Sequence, residues 1–172
     1  MALPGRAPPH PDPERKPDLN KSIEMRLRDA GITLPETPAP AANYVPFVRT
    51  GKLIHTAGQI PFVQGELSTT GKLGGALDIA AGQAAARLCA INVLALARDA
   101  AGDLDRIGRL VKITVFVASH PDFHEQHLVA NGASDLFVDV LGEAGRHARS
   151  AVGVPCLPFD APVEVEAIFE VV

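Results

Sequence analysis

Hydrophobic and polar residues repeat with two different periods along the chain, and these periods predict both strands and helices. Two apolar segments, YVPFVR and KLIHTAGQI, flank Thr50 and Gly51, which predicts a β-hairpin. The stretch of residues 61–77 that follows has four glycines and no sustained period. We therefore expect a long loop there, lying over one edge of the sheet.

A long helix is predicted between Asp78 and Gly102. The Asp78 carboxylate can cap the first turn, and Gly102 can adopt the left-handed conformation at which many helices end. The apolar residues that recur at helical spacing, and so define the face expected to be buried, are Ala80, Ala84, Leu88, Ile91 and Ala95.

The second half of the chain predicts three more strands and a second helix. Residues 110–119 alternate as a strand does, and the drier face is expected to consist of Val111, Ile113, Val115 and Val117. Residues 121–142 predict a helix that ends at a glycine. Its residues expected to face the sheet are Leu128, Val138 and Leu141. The segments SAVGV and VEVEAIFEVV predict the last two strands.

The predicted order of elements is ββαβαββ. We expect an α+β sandwich in which a mixed sheet carries two helices on one face, formed by residues 43–172. Residues 1–20 contain six prolines and little to bury, which predicts a flexible tail. Residues 21–42 predict an appended short helix that ends at Gly31, followed by an extended arm.

This arrangement leaves one face of the sheet without helices. In the last predicted strand, five apolar residues alternate with Glu164, Glu166, Ile168 and Glu170, so one side faces the core and the other is uncovered. Association of several copies into a closed oligomer would cover that face and hide the edges of the sheet.

The composition limits the kinds of partner that the protein has. Its 172 residues suit one domain, and because 47% are hydrophobic but only 5% aromatic, the core is expected to be mainly aliphatic. The net charge is −4 and Lys and Arg form no run, which argues against a nucleic-acid partner. No apolar run approaches the roughly 20 residues that cross a bilayer, and the N-terminus lacks the apolar centre of a signal peptide. We therefore expect a soluble, cytoplasmic protein with no membrane partner.

Two sequence patterns resemble ligand-binding motifs, but each lacks a residue that its motif requires. GELSTTGK, residues 65–72, resembles a phosphate-binding loop, but one extra residue separates its glycines and Leu73 stands where Ser or Thr is needed. His120, His124 and His127 have a spacing that suits one helix face, yet no cysteine or well-placed carboxylate completes a zinc site. No metal site is therefore expected.

Three segments carry a resemblance to a known family: HTAGQIP at residues 55–61, GRHARSAVGV at residues 145–154 and LPFDAPVEVEAI at residues 157–168. In order and spacing they resemble the RidA/YjgF family of imine deaminases, and the similarity extends from about Asn43 to the C-terminus. The resemblance implies a chorismate-mutase-like fold and a homotrimer with a barrel-like core and three clefts between subunits. It also implies hydrolysis of 2-imino and enamine acids, such as 2-iminobutanoate and 2-aminoacrylate, to 2-keto acids and ammonia without a metal or cofactor.

The resemblance also implies roles for individual residues. Arg149 would bind the substrate carboxylate, because its planar fork pairs both oxygens and stays charged. Glu164 would orient the attacking water and take its proton, and Tyr44, in the first strand, would donate a hydrogen bond or screen the site. Gly58 and Ala151 would line the cleft through their backbone groups.

Three positions depart from the family's usual pattern: Ala57 replaces a serine, His147 replaces a proline and Ala151 replaces a cysteine. His147 lies two residues from Arg149 and is a candidate proton donor to the departing ammonia, or else a histidine at the rim of a subunit interface. These departures leave the natural substrate open. A non-catalytic trimer that binds a small carboxylate or a partner protein in the same cleft is the alternative, whereas the acidic charge argues against ribonuclease activity.

Overall fold

The computed structural model describes residues 21–37 and 43–172. The predicted tail of residues 1–20 and the end of the predicted arm lie outside the described residues. The helices and strands are, in chain order, α1 (Ile23–Asp29), β1 (Phe47–Thr50), β2 (Leu53–Thr56), β3 (Phe62–Val63), β4 (Glu66–Leu67), α2 (Ile79–Ala101), β5 (Ile107–Ala118), α3 (Gln126–Leu141), β6 (Ala148–Val154) and β7 (Val163–Val171).

The main sheet has five strands in the order β1-β2-β7-β5-β6. All neighbours are antiparallel except β5 and β6, which are parallel, so the sheet is mixed. The predicted α+β class, the mixed sheet and the position of the two long helices are therefore confirmed. The face of the sheet opposite α2 and α3 is here called the open face.

The segment predicted to be a loop contains a small hairpin, so that prediction is wrong in part. Strands β3 and β4 pair across Gln64 and Gly65, both of which have positive φ, at 53° and 85°. Two successive positive φ values are typical of the tight turns that join hairpin strands, and Asn-Gly or Asp-Gly is their usual sequence. Because Gln64 stands where Asn or Asp is usual, the sequence does not predict this turn.

Helix α2 ends where the sequence predicts, but its buried face is different. The Asp78 carboxylate accepts a hydrogen bond from the Ala81 amide, and Gly102 has a φ of 79°. Ala80 and Ala84, however, are exposed. The buried positions include Gly82, Ala85, Ala86, Cys89, Ala90, Val93 and Leu94. Small residues form this face because it packs closely on α3 and the sheet, which a search for large apolar residues does not detect.

The sequence has no uninterrupted apolar run of membrane-spanning length, yet helix α2 as a whole is long and apolar enough to be tested as a membrane span. Its 23 residues pass that test by length and composition, although half of its most apolar window is buried inside the protein.

Helix α3 crosses helix α2 so closely at Gly132 that a Cβ atom there would overlap the carbonyl group of Gln83. The Gln83 side-chain amide donates to the Leu128 carbonyl oxygen at 2.9 Å across the same contact.

Helix α3 begins five residues later than predicted, at Gln126. The chain before it instead forms a turn over residues 120–123, in which the Phe123 amide donates to the His120 carbonyl oxygen, and the Phe123 ring is buried. The helix ends at Gly142 as predicted. Of the residues expected to face the sheet, Leu141 is buried but Leu128 and Val138 are only half-buried. The buried face is formed by Val129, Ala130, Ala133, Leu136, Phe137 and Val140.

Strand β5 has the predicted drier face except at its start. The pairing with β7 shifts between Leu110 and Lys112, so Leu110 is buried and Val111 is half-buried. An extra residue in one strand reverses the alternation on one side of it, and this β-bulge accounts for the misplaced valine.

The predicted short helix before the domain is confirmed as α1, with Ser22 at its N-cap and Gly31, at a φ of 68°, after its end. Ile23 and Leu27 are buried in the same hydrophobic core as α2 and α3. The Ile23 amide also donates to the Asp105 carboxylate at 2.9 Å. The helix is thus packed into the core of the domain rather than appended to it.

Candidate functional site

The side chain of Arg149 extends from β6, one of the two edge strands of the main sheet, to helix α3. Its Nη1 atom donates to Asn131 Oδ1 and to Ser134 Oγ, both at 3.0 Å, and its Nη2 atom donates to the His127 carbonyl oxygen at 3.2 Å. All three acceptors are neutral. They lie on successive turns of one side of α3, so the helix fixes the guanidinium from a single direction.

Two of the donor groups of Arg149 remain available. A guanidinium has five N–H groups, and the contacts with α3 use three of them. Within residues 21–37 and 43–172, Nε–H and the second hydrogen of Nη2 have no acceptor and no carboxylate pairs with Arg149. Adjacent N–H groups of this kind form the fork that binds a carboxylate through two hydrogen bonds.

His147 is connected to Arg149 through Ser134. Its Nδ1 atom is 2.6 Å from the Gly145 carbonyl oxygen, and its Nε2 atom is 3.1 Å from Ser134 Oγ. Burial lowers the pKa of His147, and the nearby charge of Arg149 lowers it further, against the opposite effect of the hydrogen bond to Gly145. The ring is therefore predominantly neutral at neutral pH.

Glu164 lies on the open face, on β7, and is half-buried. Its carboxylate occupies the space beside Gly58 where any other residue would have a Cβ atom, so the absence of a side chain at Gly58 makes room for it. Burial raises the pKa of Glu164, and the charge of Glu166 on the same strand raises it further. A carboxyl group whose pKa is raised is a better proton acceptor and donor near neutral pH.

The register of the strands places Arg149 and Glu164 on opposite faces of the sheet. Arg149 pairs with Ile113, which is buried under the helices, whereas Glu164 pairs with Phe116 on the open face. Ala151, two residues after Arg149, shares its face. The site residues named from the sequence thus form two groups, and one copy of the chain does not bring the two groups together.

Tyr44 belongs to neither group. It precedes β1 instead of lying in it, and it is 58% exposed. The prediction of a tyrosine in the first strand is therefore wrong, because the strand begins only after Pro46, whose ring removes a backbone donor.

Asn131 and Ser134 are site residues that the sequence analysis missed. Both are half-buried polar residues of α3 three positions apart, and so they lie on one side of the helix. That pattern was a usable signal, but only the position of β6 shows that the two side chains meet Arg149.

A cavity of about 490 Å³ continues the surface that carries Arg149 and Ala151. Gly153, the next residue of β6 on that face, lines it, and a Cβ atom at Gly153 would come within 2.9 Å of the Gln126 side chain. His120 and His124 also line the cavity, but they lie before α3 and not on one helix face with His127. In the described part of the chain, no group of three or more His, Cys, Asp or Glu residues is arranged to hold a metal ion.

Comparison with protein families finds a match over most of the chain. The family model described as "YjgF/chorismate mutase-like, putative endoribonuclease" matches residues 24–170. The match begins within α1, so the similarity extends further towards the N-terminus than the sequence motifs indicate.

Comparison with individual proteins gives relatives of nearly full length. Protein TCP17 of Trypanosoma cruzi is 52% identical over 86% of this chain and 93% of its own. The 2-iminobutanoate/2-iminopropanoate deaminase of Escherichia coli is 36% identical over 80% of this chain and 94% of its own. A crystal structure of a protein of unknown function from Agrobacterium tumefaciens is 52% identical, with a TM-score of 0.82, over 87% of this chain and 92% of that one.

Proposed function

Because this chain belongs to the YjgF/RidA family, we propose that it hydrolyses reactive 2-imino acids and their enamine tautomers to 2-keto acids and ammonia. The name of the Escherichia coli relative supports this reaction class. The observation that carries the proposal is the state of Arg149. Three neutral acceptors hold it in place, while two of its N–H groups have no acceptor among the residues that the structure describes.

The proposed role of Arg149 is to bind the substrate carboxylate. An arginine that serves only as a surface ion-pair residue has a carboxylate partner, as Arg146 has in Glu143. Arg149 has none among the residues that the structure describes, and α3 restricts the rotamers that its long side chain would otherwise sample. A preformed fork of this kind binds a carboxylate with less loss of side-chain entropy.

The proposed chemistry needs only a positioned water and a group that moves protons. Water adds to the electrophilic carbon of the protonated imine, Glu164 takes a proton from the water, and the same carboxyl group returns a proton to the nitrogen. The C–N bond then breaks as the hydroxyl oxygen forms the keto C=O bond, and Glu164 passes the hydroxyl proton to the departing ammonia. The protonated imino acid and one water thus become a 2-keto acid and ammonium. The raised pKa of Glu164 suits these transfers, and positioning supplies much of the remaining acceleration.

The proposed assembly is a homotrimer in which each cleft combines two subunits. Arg149, Ala151 and His147 would come from one subunit, and Glu164 and Gly58 from the next. The opposite faces on which Arg149 and Glu164 lie support this arrangement. Tyr44, exposed at the start of the domain, is proposed to cover the cleft. We further propose that the protein acts in the cytoplasm on small carboxylates and that no nucleic acid or membrane takes part.

The open face gives separate support for association. Its apolar residues Val48 and Val152 are 54% and 44% exposed, and they share the face with Ile168. Packing against other copies would remove this surface from water. Size-exclusion chromatography with light scattering would report a mass near 54 kDa for three copies of 18.1 kDa, and a monomer at micromolar concentration would contradict the shared cleft.

The test of the reaction generates 2-iminobutanoate and 2-aminoacrylate in situ and follows 2-keto acid formation. We expect the protein to accelerate it above the spontaneous rate, and Arg149→Ala and Glu164→Ala to abolish most of the acceleration. Arg146→Ala, which removes an exposed arginine three residues away, is the matched control. If the protein binds 2-ketobutanoate but accelerates neither reaction, the alternative of a non-catalytic carboxylate-binding trimer replaces the deaminase proposal.

A further inference from the structure

We infer that Ser134 and His147 are positioning residues that orient the guanidinium of Arg149 through a directed chain of hydrogen bonds. The chain runs from Arg149 to Ser134, then to His147, and ends at the carbonyl oxygen of Gly145. The inference rests on the proposed role of Arg149 and adds two residues that the proposed reaction does not otherwise use.

The direction of each hydrogen bond follows from the group that ends the chain, the Gly145 carbonyl oxygen. A carbonyl oxygen only accepts, so the proton on the His147 ring must lie on Nδ1, which faces Gly145. In a neutral ring, Nε2 is then an acceptor, and the Ser134 hydroxyl must donate to it. The lone pairs of Ser134 Oγ are thereby left for the N–H group of Arg149.

The chain is anchored at its far end by close packing. A Cβ atom at Gly145 would overlap the carbonyl group of Phe137, so the absence of a side chain lets the turn before β6 lie directly on α3. The His147 ring packs edge to face on the Phe137 ring, with 6.0 Å between centroids. The Gly145 carbonyl and the imidazole are therefore both fixed relative to the helix that holds Arg149.

The hydrogen bond to His147 stops the Ser134 hydroxyl from rotating, so Ser134 Oγ remains an acceptor for Arg149. If the Ser134 hydroxyl pointed elsewhere, its hydrogen could turn towards the guanidinium and repel it. Since hydrogen bonds in a chain polarise one another, the neutral imidazole also makes Ser134 a stronger acceptor. The pKa of His147 is lowered mainly by burial, which keeps the imidazole in the neutral form that this direction requires.

The first test is the tautomer of His147, measured by long-range ¹H–¹⁵N NMR on the full chain. We expect the Nδ1–H tautomer, with an Nε2 chemical shift that changes in Ser134→Ala because the donor to Nε2 is lost. An Nε2–H tautomer, or an Nε2 shift that Ser134→Ala leaves unchanged, would overturn the inference. This measurement does not depend on whether the protein is a deaminase.

The second test is the affinity for 2-ketobutanoate, measured by calorimetry. Ser134→Ala and His147→Phe are each expected to weaken binding by roughly fivefold, the effect of one ordinary hydrogen bond, while Ser134→Thr stays within about twofold of wild type. Because His147 acts only through Ser134, the double variant is expected to match Ser134→Ala, and multiplied effects would contradict the chain. Asp135→Asn, the exposed neighbour on α3, is the control.

The two proposals fail in different ways. If Arg149→Ala binds 2-ketobutanoate as tightly as wild type, the proposed role of Arg149 is wrong, whatever the tautomer of His147. If Arg149→Ala abolishes binding but Ser134→Ala and His147→Phe bind normally at unchanged thermal stability, the site stands and the positioning roles are wrong. If Ser134→Thr lost as much affinity for 2-ketobutanoate as Ser134→Ala, the proposed role of the Ser134 hydroxyl would also be wrong.

Discussion

Gly58 is the position at which the smallest substitution would most directly disturb the proposed proton transfer. In Gly58→Ala the new Cβ atom would lie 2.7 Å from Glu164 Cδ and 2.9 Å from Cγ. Gly58 does not have a positive φ, so alanine fits the backbone and its effect comes from the methyl group alone.

The size of the effect follows from the displacement that the methyl group imposes. Unstrained carbon atoms are about 3.5–4.0 Å apart, so the Glu164 carboxylate must move by about 1 Å. A misplacement of that size in a catalytic group costs roughly 10²-fold in rate, or about 2.7 kcal/mol in the activation barrier. We expect this loss in kcat, and a change in KM below threefold, because Arg149 holds the substrate carboxylate elsewhere.

The assay is 2-keto acid formation from 2-iminobutanoate generated in situ, together with calorimetric binding of 2-ketobutanoate. In a Glu164→Gln background, where the proton acceptor is already absent, Gly58→Ala is expected to cause no further loss. Wild-type kcat in Gly58→Ala would refute the assignment of Glu164 to the reaction. A loss of product binding as large as in Arg149→Ala would refute the separation of the two groups.

Three further predictions concern the same structure. Arg149→Lys keeps the charge but cannot reproduce the planar fork or its three contacts with α3, so KM for 2-iminobutanoate is expected to rise at least tenfold, as steady-state kinetics would show. The pKa of Glu164 is raised, so its ionised form costs stability once the pH exceeds the ordinary carboxyl pKa. Glu164→Gln is therefore expected to raise the Tm at pH 7 but not near pH 4 in calorimetry, and an equal gain at both would contradict this. Gly132→Ala forces a methyl group into the carbonyl of Gln83, and urea unfolding should show a loss of about 1–3 kcal/mol, whereas full stability would mean that α2 and α3 separate easily.

Local signals in the sequence predicted both ends of α2 and the C-terminal end of α3. The Asp78 carboxylate caps α2 and Gly102 and Gly142 end the two long helices, because caps and left-handed glycines act through neighbouring backbone groups alone. The errors in the predicted buried faces depended on contacts between distant segments. The buried face of α2 follows from its crossing with α3, and the bulge at Val111 follows from the register with β7.

The candidate site shows the same division. The resemblance to a family pointed to Arg149 and Glu164, which lie in two of the short motifs that carry it. It did not point to Asn131 or Ser134, which reach Arg149 only through the packing of α3 on β6. It also placed Tyr44 in a strand that begins later. The resemblance thus named the charged residues of the candidate site, whereas the neutral residues that contact Arg149 became visible only in the fold.

Because Arg149 and Glu164 lie on opposite faces of the sheet, each subunit of the proposed trimer would contribute its Arg149 to one cleft and its Glu164 to another. A subunit in which one of these two residues is replaced would still contribute the other residue to a cleft shared with its neighbour. When Arg149→Ala and Glu164→Ala subunits, each inactive alone, assemble at random in equal amounts, about a quarter of the clefts would combine two intact halves. Two defective copies of the same protein would then restore part of an activity that neither copy has by itself.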